Sequence, residues 1–402
     1  MLGISEGVAL RRCVQHPSTT AATPTASDGA SPIPLRGSTA LNVDDLVLGC
    51  GFNKPDPAHP ESLAFIPRSQ AVATVLTALQ QGIRQLDTAP LYGSGLSEEY
   101  IGDALLEAGL AATVGLKLWT KVGVVIRRAD QRLLLDPPLA LGFAGERATF
   151  RDYSFGMAQR GLQESLIRLR LPKVTGLRVH GPNRQDRVTV GGKLFEPMAV
   201  DGTEQALATD GILAGLSALR AEGTIEEVSL GLNAFDPAIV QGHRRLFERP
   251  VAGTVQSVLL AGGFNLLNQN ALPLLEEAEA RGVEVHMAGV FSSGLLAGGS
   301  TVYAPGADNG QPPSDELLQR VEGWRRLAEE HGLPLPAVAL AFAALPRCVT
   351  RVVVGMSSPA DVHENIDLLR TTASVSPELW WHAKERGLLD RRTPIPERRA
   401  QA

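Results

Sequence analysis

The sequence predicts an α/β fold in which eight parallel strands, each followed by a helix, close into a (β/α)8 TIM barrel. Three observations predict it. From about residue 46, short β-branched or apolar runs alternate with longer helical patterns, and eight such runs occur. Several helical segments end in a glycine just before the next strand (Gly82, Gly223, Gly282), where a left-handed C-cap meets no Cβ clash. No G-x-G-x-x-G lies between the first strand and the first helix, which weakens the alternative of an open, doubly wound sheet.

In chain order, IPLRGSTALNV (33–43) reads as an N-terminal hairpin closing the barrel bottom. Strand one is LVLGCG (46–51), followed by the helical pattern SQAVATVLTALQQG; strand two is IRQLDTA (83–89), followed by SEEYIGDALLEAG. Strand three, LKLWTKVG (116–123), leads into a long insertion (127–153) and the helix FGMAQRGLQESLIRLR. Strands four, VTGLRVH (174–180), and five, EEVSLGLN (226–233), precede TDGILAGLSALRAEG and PAIVQGHRRLF. Strand six is TVQSVLLAG (254–262), with ALPLLEEAEARG behind it. Strand seven, VEVHMAGVF (283–291), opens a second insertion (290–314) and the helix DELLQRVEGWRRLAEEHG. Strand eight is RVVVGM (351–356), with PADVHENIDLLR after it. Both insertions follow strand C-termini, the face on which barrels of this class build their active sites.

The barrel is expected over 33–390, behind a Ser-, Thr-, Ala- and Pro-rich extension (1–32) that reads as disordered, with a transit peptide as the other reading. A charged, flexible tail is expected over 391–402. Apolar content of 44% and a mean hydropathy of +0.01 indicate a globular chain. Acidic residues outnumber basic ones, 43 to 38, so there is no basic surplus to grip nucleic acid or an anionic membrane. No apolar run reaches the length of a membrane span. The three cysteines are far apart, with no disulfide framework and no metal spacing, which fits a reducing, cytoplasmic setting and no metal site. Cys50 and Cys348 read as small core residues.

The chemistry is expected at the strand ends. Strand two gives Asp87 and then Tyr92, strand three Lys121, strand four His180 and strand five Asn233. An ammonium beside a tyrosine favours its phenolate, and a carboxylate beside the ammonium holds it in place and charged. The set contains no activated Ser or Cys and no carboxylate pair. It suits moving a proton on and off an oxygen while something else carries a hydride, and since no side chain carries a hydride, a nicotinamide or flavin is implied. Each residue taken alone is more often a turn, rim, surface or core residue; only the four together on consecutive strand ends set this reading beside that one.

These residues resemble the aldo-keto reductase family. The family signature, G-x-R-x-x-D-T-A-x-x-Y-G followed by S-E-x-x-x-G, appears as GIRQLDTAPLYGSGLSEEYIG. Its later elements appear as WTKVG, LRVHGP and GMSSPADVHEN, so the likeness runs from about 33 to 370. The resemblance implies Tyr92 as general acid/base, Asp87 and Lys121 as its charge partners, and His180 as the residue orienting a substrate oxygen. It implies cofactor contacts at Asn233 and in the pyrophosphate-side loop (Ser292, Ser293, Gly294, Leu295). Around the adenosine it implies Gly355, Ser357, Asp361, Glu364 and Asn365. The family's Gln on strand six is replaced by Ala261, and Phe264 is expected to stack on the nicotinamide. Gly355 and Asp361 stand where enzymes preferring NADP have Lys and Arg, so NAD is expected to be preferred, with NADP possible; Arg370 or an N-terminal arginine would be the counter-reading. The strand-six to strand-seven stretch resembles the branch of L-fucose, L-galactose and D-arabinose 1-dehydrogenases and pyridoxal 4-dehydrogenase, which oxidise a lactol or hemiacetal carbon to a lactone. Trp119 is expected either to stack on the sugar, with Tyr92 and His180 as the other substrate contacts, or to be core. The expected partner is a small sugar or aldehyde and the expected state a monomer or homodimer. An NADPH-dependent aldehyde reductase, a nucleotide-sensing partner subunit and a cofactor-free barrel isomerase are the competing readings.

Overall fold

Every strand expected from the sequence is present in the computed structural model, and each pairs in parallel with its sequence neighbours: β1 (Leu46–Gly49), β2 (Gln85–Asp87), β3 (Lys117–Val122), β4 (Gly176–His180), β5 (Glu227–Asn233), β6 (Ser257–Ala261), β7 (Glu284–Ala288) and β8 (Val349–Gly355). β8 returns to β1 with Leu46 opposite Val352 and Gly49 opposite Gly355, which closes the ring. The structure describes residues 33–55, 63–128, 143–144, 147–182, 188–190, 193–195, 202–235, 237–248, 254–298 and 313–398. The expected extension 1–32, residues 129–142 and 145–146 of the first insertion, residues 299–312 of the second and residues 399–402 of the expected tail lie outside these residues.

The helices that cover the barrel are α1 (Arg68–Gln80), α2 (Leu96–Ala108), α3 (Phe155–Leu169), α4 (Ile212–Ala221), α5 (Pro237–Glu248), α6 (Leu272–Arg281), α7 (Asp315–Glu330), α8 (Leu335–Ala343), α9 (Pro359–Thr372) and α10 (Pro377–Glu385). Their ends follow local chemistry. Gly282 closes α6 in the left-handed conformation (φ 65°), and the Ser314 side chain accepts from the Leu317 amide at the start of α7. Arg84, the arginine of the signature, donates to the Leu79 carbonyl and so satisfies the last turn of α1.

Side chains alternate along each strand, so one set of residues faces the barrel axis. The other set, including Leu46, Leu48, Leu86, Leu118, Leu177 and Val179, packs under the helices in one continuous core. The inner set divides by chemistry. Val47, Leu259 and Val353 form a separate small apolar cluster, with Ala261 and Ala288 against it, on β1 and β6–β8. Polar inner positions run from β2 round to β7, below the apolar cluster on β6 and β7: Asp87, Lys121, Arg178, Ser229, Ser257 and His286, all buried.

Four expectations are corrected. Residues 33–43 form no hairpin. Leu35 bridges Pro346, Arg36 donates to the Leu345 carbonyl, and Arg347 donates to the Pro34 carbonyl, so this segment spends its backbone groups on the turn before β8. Among the described residues two α-helices join β7 to β8: α8 is apolar on every side and buried except at Pro336, so it carries no periodic face to read. The stretch after β3 is not simply a loop, since Val124–Arg128 pairs antiparallel with Arg147–Arg151. The tail is anchored, not free, through residue 398. The Trp381 indole donates to the Pro396 carbonyl at 3.1 Å, Thr393 is buried and Ile395 packs on the core, because a few apolar anchors outweigh the local charge. Cys50 and Cys348 are buried in the core as expected, and burial pushes the Cys348 thiol up to about 12.

Candidate active site

The uppermost inner layer of the barrel is where the strand ends meet. β2 ends on Asp87, 2% exposed, and Lys121 on β3 is 1% exposed. The Lys121 ammonium donates to Asp87 Oδ1 and, at 2.8 Å, to the Thr88 carbonyl. Burial alone would push this ammonium down; the Asp87 carboxylate and the Tyr92 phenol beside it outweigh that and hold it above its ordinary value. It is therefore a charged group at neutral pH in a place that water does not reach.

Tyr92 follows in the turn after β2. Lys121 Nζ lies 4.8 Å from the centre of its ring, and the His180 imidazole stands edge-on to it at 6.1 Å. The structure thus brings Asp87, Tyr92, Lys121 and His180 together at one mouth. The backbone behind Tyr92 is wound unusually. Gly93, Ser94 and Gly95 have φ of 58°, 51° and 94°, three left-handed residues in succession, and Ser94 adopts this region without being a glycine. Phe65 lies where a Cβ on Gly93 would stand, which packs the turn down from above. The rest of the signature builds the frame. Thr88 and Ser97 share a hydrogen bond, and Ser97 also donates to the Cys50 carbonyl. Glu98, fully buried, accepts from Thr120 and from Arg168 at 2.6 Å, locking α2 to β3 and α3.

Arg178 and Tyr153 were not singled out in the sequence, and both act on this site. Arg178, two residues before His180 and so on the same inner face, donates through Nε to Asp87 Oδ2 at 2.8 Å. One carboxylate is shared by two buried cations. The inward parity of L-R-V-H was the available signal. Tyr153, just before α3, donates its hydroxyl to the His180 carbonyl at 2.7 Å and accepts from Arg151, which also donates to the Gly181 carbonyl at 2.5 Å. The insertion after β3 thereby clamps the end of the strand that carries His180. No pattern in the sequence signals that contact.

The other half of the mouth is built of small residues. Gly49, Gly231, Ala261, Ala288 and Gly355 are the inner positions at or near the ends of β1 and β5–β8. A flat ring can approach the backbone there, with Asn233 at the end of β5 beside it. After β7, Ser292, Ser293 and Gly294 repeat the left-handed succession (φ 48°, 57° and 97°), a turn that exposes Ser293. Ser357 donates to the Asn53 carbonyl, Glu364 is exposed, and the buried Asn365 leaves Oδ1 without a partner among the described residues. Asp361 is engaged at the head of its own helix. Its Oδ2 accepts from the Ser357 and Ser358 amides at 2.7 and 3.1 Å, and its Oδ1 accepts from the Ser358 hydroxyl. A small-residue slot beside a charged acid–base group, with an unpaired amide oxygen on α9, fits a nicotinamide dinucleotide.

Two expected side-chain contacts are displaced. Phe264 is wholly buried and stacks on Phe342 at 4.8 Å in the core, so it does not reach the mouth. Trp119 is also buried, one inner layer below Lys121 and edge-on to His286 at 5.0 Å, which takes it away from a substrate at the mouth. The Leu295 side chain is core. Among the described residues no group of three His, Cys, Asp or Glu side chains is placed to hold a metal, and no helix is long and apolar enough to cross a membrane.

The fold and the site define an oxidoreductase that works on a small molecule with a nicotinamide as hydride carrier. The aldo/keto reductase family profile matches residues 48–377, and the chain belongs to that family. Pyridoxal 4-dehydrogenase of Microbacterium luteolum is 30% identical over 366 residues, which cover 88% of this chain and 96% of that protein. D-threo-aldose 1-dehydrogenase of a Pseudomonas species is 27% identical, covering 91% and 98%. Among solved structures, the holo form of an aldo-keto reductase from Bacillus halodurans superposes with a TM-score of 0.58 at 21% identity, covering 88% of this chain and 96% of that one. The chain is thus an NAD(P)-dependent oxidoreductase.

Proposed function

We propose that the protein is an NAD-dependent dehydrogenase that oxidises the anomeric carbon of an aldose to a lactone. The reaction removes two hydrogens from one carbon–oxygen unit. The hydroxyl proton goes to Tyr92, and the C–H bond gives up its electron pair as a hydride, for which bound nicotinamide supplies the acceptor. Lys121, held by Asp87, favours the ionised phenol, and His180 orients the substrate oxygen against it. The Tyr153 clamp fixes the strand end that carries His180 from behind.

The observation that carries the NAD preference is Asp361. A helix N-terminus is a ready site for a phosphate, and here the helix's own carboxylate already takes the amides and adds a negative charge. The segment 355–365 contains no Lys or Arg to offset it. A 2′-phosphate brought to the head of α9 would meet repulsion. The aldose substrate rests on similarity to the Pseudomonas aldose dehydrogenase. Similarity to the pyridoxal enzyme favours a second reading, oxidation of the cyclic hemiacetal of pyridoxal, by the same steps.

The test is NADH absorbance with purified protein, NAD or NADP, and L-fucose, L-galactose, D-arabinose or pyridoxal in turn. A rise with NAD and one of these, abolished in Tyr92→Phe, is expected and names the substrate class. Faster turnover with NADP, or bound nucleotide with no turnover on any of them, would overturn the proposal.

A further inference from the structure

The barrel interior holds a cation beyond the four residues at the mouth. Arg178 is fully buried in β4, one inward step below His180, and its guanidinium is held from four strands. Nε donates to Asp87 on β2 at 2.8 Å. One terminal nitrogen donates to Ser229 on β5 at 2.5 Å and reaches Ser257 on β6 at 3.3 Å; the other meets His286 Nδ1 on β7 at 2.7 Å. The Trp119 indole lies 5.3 Å from its central carbon. Burial first, then Arg178, Arg351 and Lys117, hold His286 well below its ordinary range, so its Nδ1 is free to accept. The other titratable or charged groups around this layer are Lys121 on β3, Cys50 after β1, Glu227 on β5, which accepts from Ser257, and Arg351 on β8, 6.0 Å from the same indole.

We propose that Arg178 is a positioning residue for the reaction: by taking one oxygen of Asp87 it leaves the Lys121 ammonium only partly neutralised and so favours the proton-accepting form of Tyr92. Asp87 and Lys121 alone would be a neutral pair. With Arg178 the three groups carry one net positive charge, in surroundings where charge is weakly screened. Oxidation of a hydroxyl needs a base, so this device biases the site toward the dehydrogenase direction; in that respect the inference rests on the proposed function. The strand-to-strand hydrogen bonds also fix Asp87 across the barrel, so geometry and charge must be separated by experiment.

Arg178→Gln keeps a donor near Asp87 and removes the charge; Arg178→Lys keeps the charge. The first readout needs no substrate. Tyrosine ionisation is followed by ultraviolet difference absorbance, and the Tyr92 step is isolated by subtracting the same titration of Tyr92→Phe. In Arg178→Gln that step should move up by about one pH unit, on the scale of losing a nearby opposite charge, and in Arg178→Lys it should stay near the parent's. In turnover, the acid limb of kcat/KM for oxidation and the alkaline limb for reduction should both move up by the same amount. An unmoved Tyr92 step in Arg178→Gln, or an equal shift in both variants, would overturn the proposal whether or not an aldose is the substrate. Arg178→Met serves in the same way if Arg178→Gln does not fold.

Discussion

Removing Asp87 should damage the fold far more than removing its partner Lys121, although each should abolish catalysis. Asp87, Lys121 and Arg178 are each at most 2% exposed. Asp87→Asn leaves the ammonium and the guanidinium facing each other with no carboxylate between them. An uncompensated buried charge costs about 3–5 kcal/mol. Lys121→Met leaves Asp87 paired to Arg178 through Nε at 2.8 Å and replaces the ammonium by an apolar group of similar length. What is lost is its hydrogen bonds to Asp87 Oδ1 and to the Thr88 carbonyl, while a desolvation cost is relieved; a net loss of about 1 kcal/mol is expected. The gap between the variants should be about 2–4 kcal/mol. Equilibrium urea unfolding followed by tryptophan fluorescence near neutral pH measures it. If Lys121→Met is destabilised as much as Asp87→Asn, Arg178 does not hold the carboxylate and the shared-carboxylate description is wrong. The sign with pH is also set. The folded-state value of Lys121 is raised, so its stabilisation is present throughout the neutral range. It is lost only as pH rises through that raised value.

Asp361→Asn keeps acceptors for the Ser357 and Ser358 amides but drops the charge, so kcat/KM with NADP relative to NAD should rise by roughly tenfold, on the scale of about 1.4 kcal/mol; steady-state kinetics with both nucleotides would show an unchanged ratio if Asp361 does not face the adenosine. Tyr153→Phe loses the hydroxyl that holds the His180 carbonyl and should cost about 1–2 kcal/mol of stability while raising KM more than it lowers proton transfer; thermal melts and a kcat-against-KM comparison check both parts. His286 is held neutral in the folded chain, so stability should fall as pH drops below its ordinary value, by about 1.4 kcal/mol per unit for one proton. His286→Asn keeps an acceptor for Arg178 and should flatten that slope in urea melts between about pH 5 and 7; an unchanged slope would assign the acid sensitivity elsewhere.

The eight strands were legible because each is a short apolar run bounded by turn chemistry and followed by a helical period. Asp87, Tyr92, Lys121 and His180 were legible because parallel strands deliver their C-termini to one face, so a list of strand-end polar residues is already a list of neighbours. Which face of a strand looks inward was legible only where a reactive strand-end residue such as His180 set the parity. In a closed parallel barrel both faces are buried, so apolar alternation carries no sign of inside and outside. Depth in the barrel and the path of a loop were not legible at all: Trp119, offered to a substrate or to the core, lies one inner layer below Lys121, and Phe264, in the loop after β6, packs under α8. Arg178 passed unnoticed as one basic residue in an apolar strand. The sequence by itself determined the order of strands and helices, the residues at the mouth, and a helix head without a basic residue. Tertiary structure alone decided that four strands converge on one guanidinium, that Tyr153 reaches the back of His180, and that 33–36 pairs with the turn before β8 and not with itself. These contacts join residues tens to hundreds of positions apart, and their partners are fixed by the registers of the closing barrel, which no local pattern encodes.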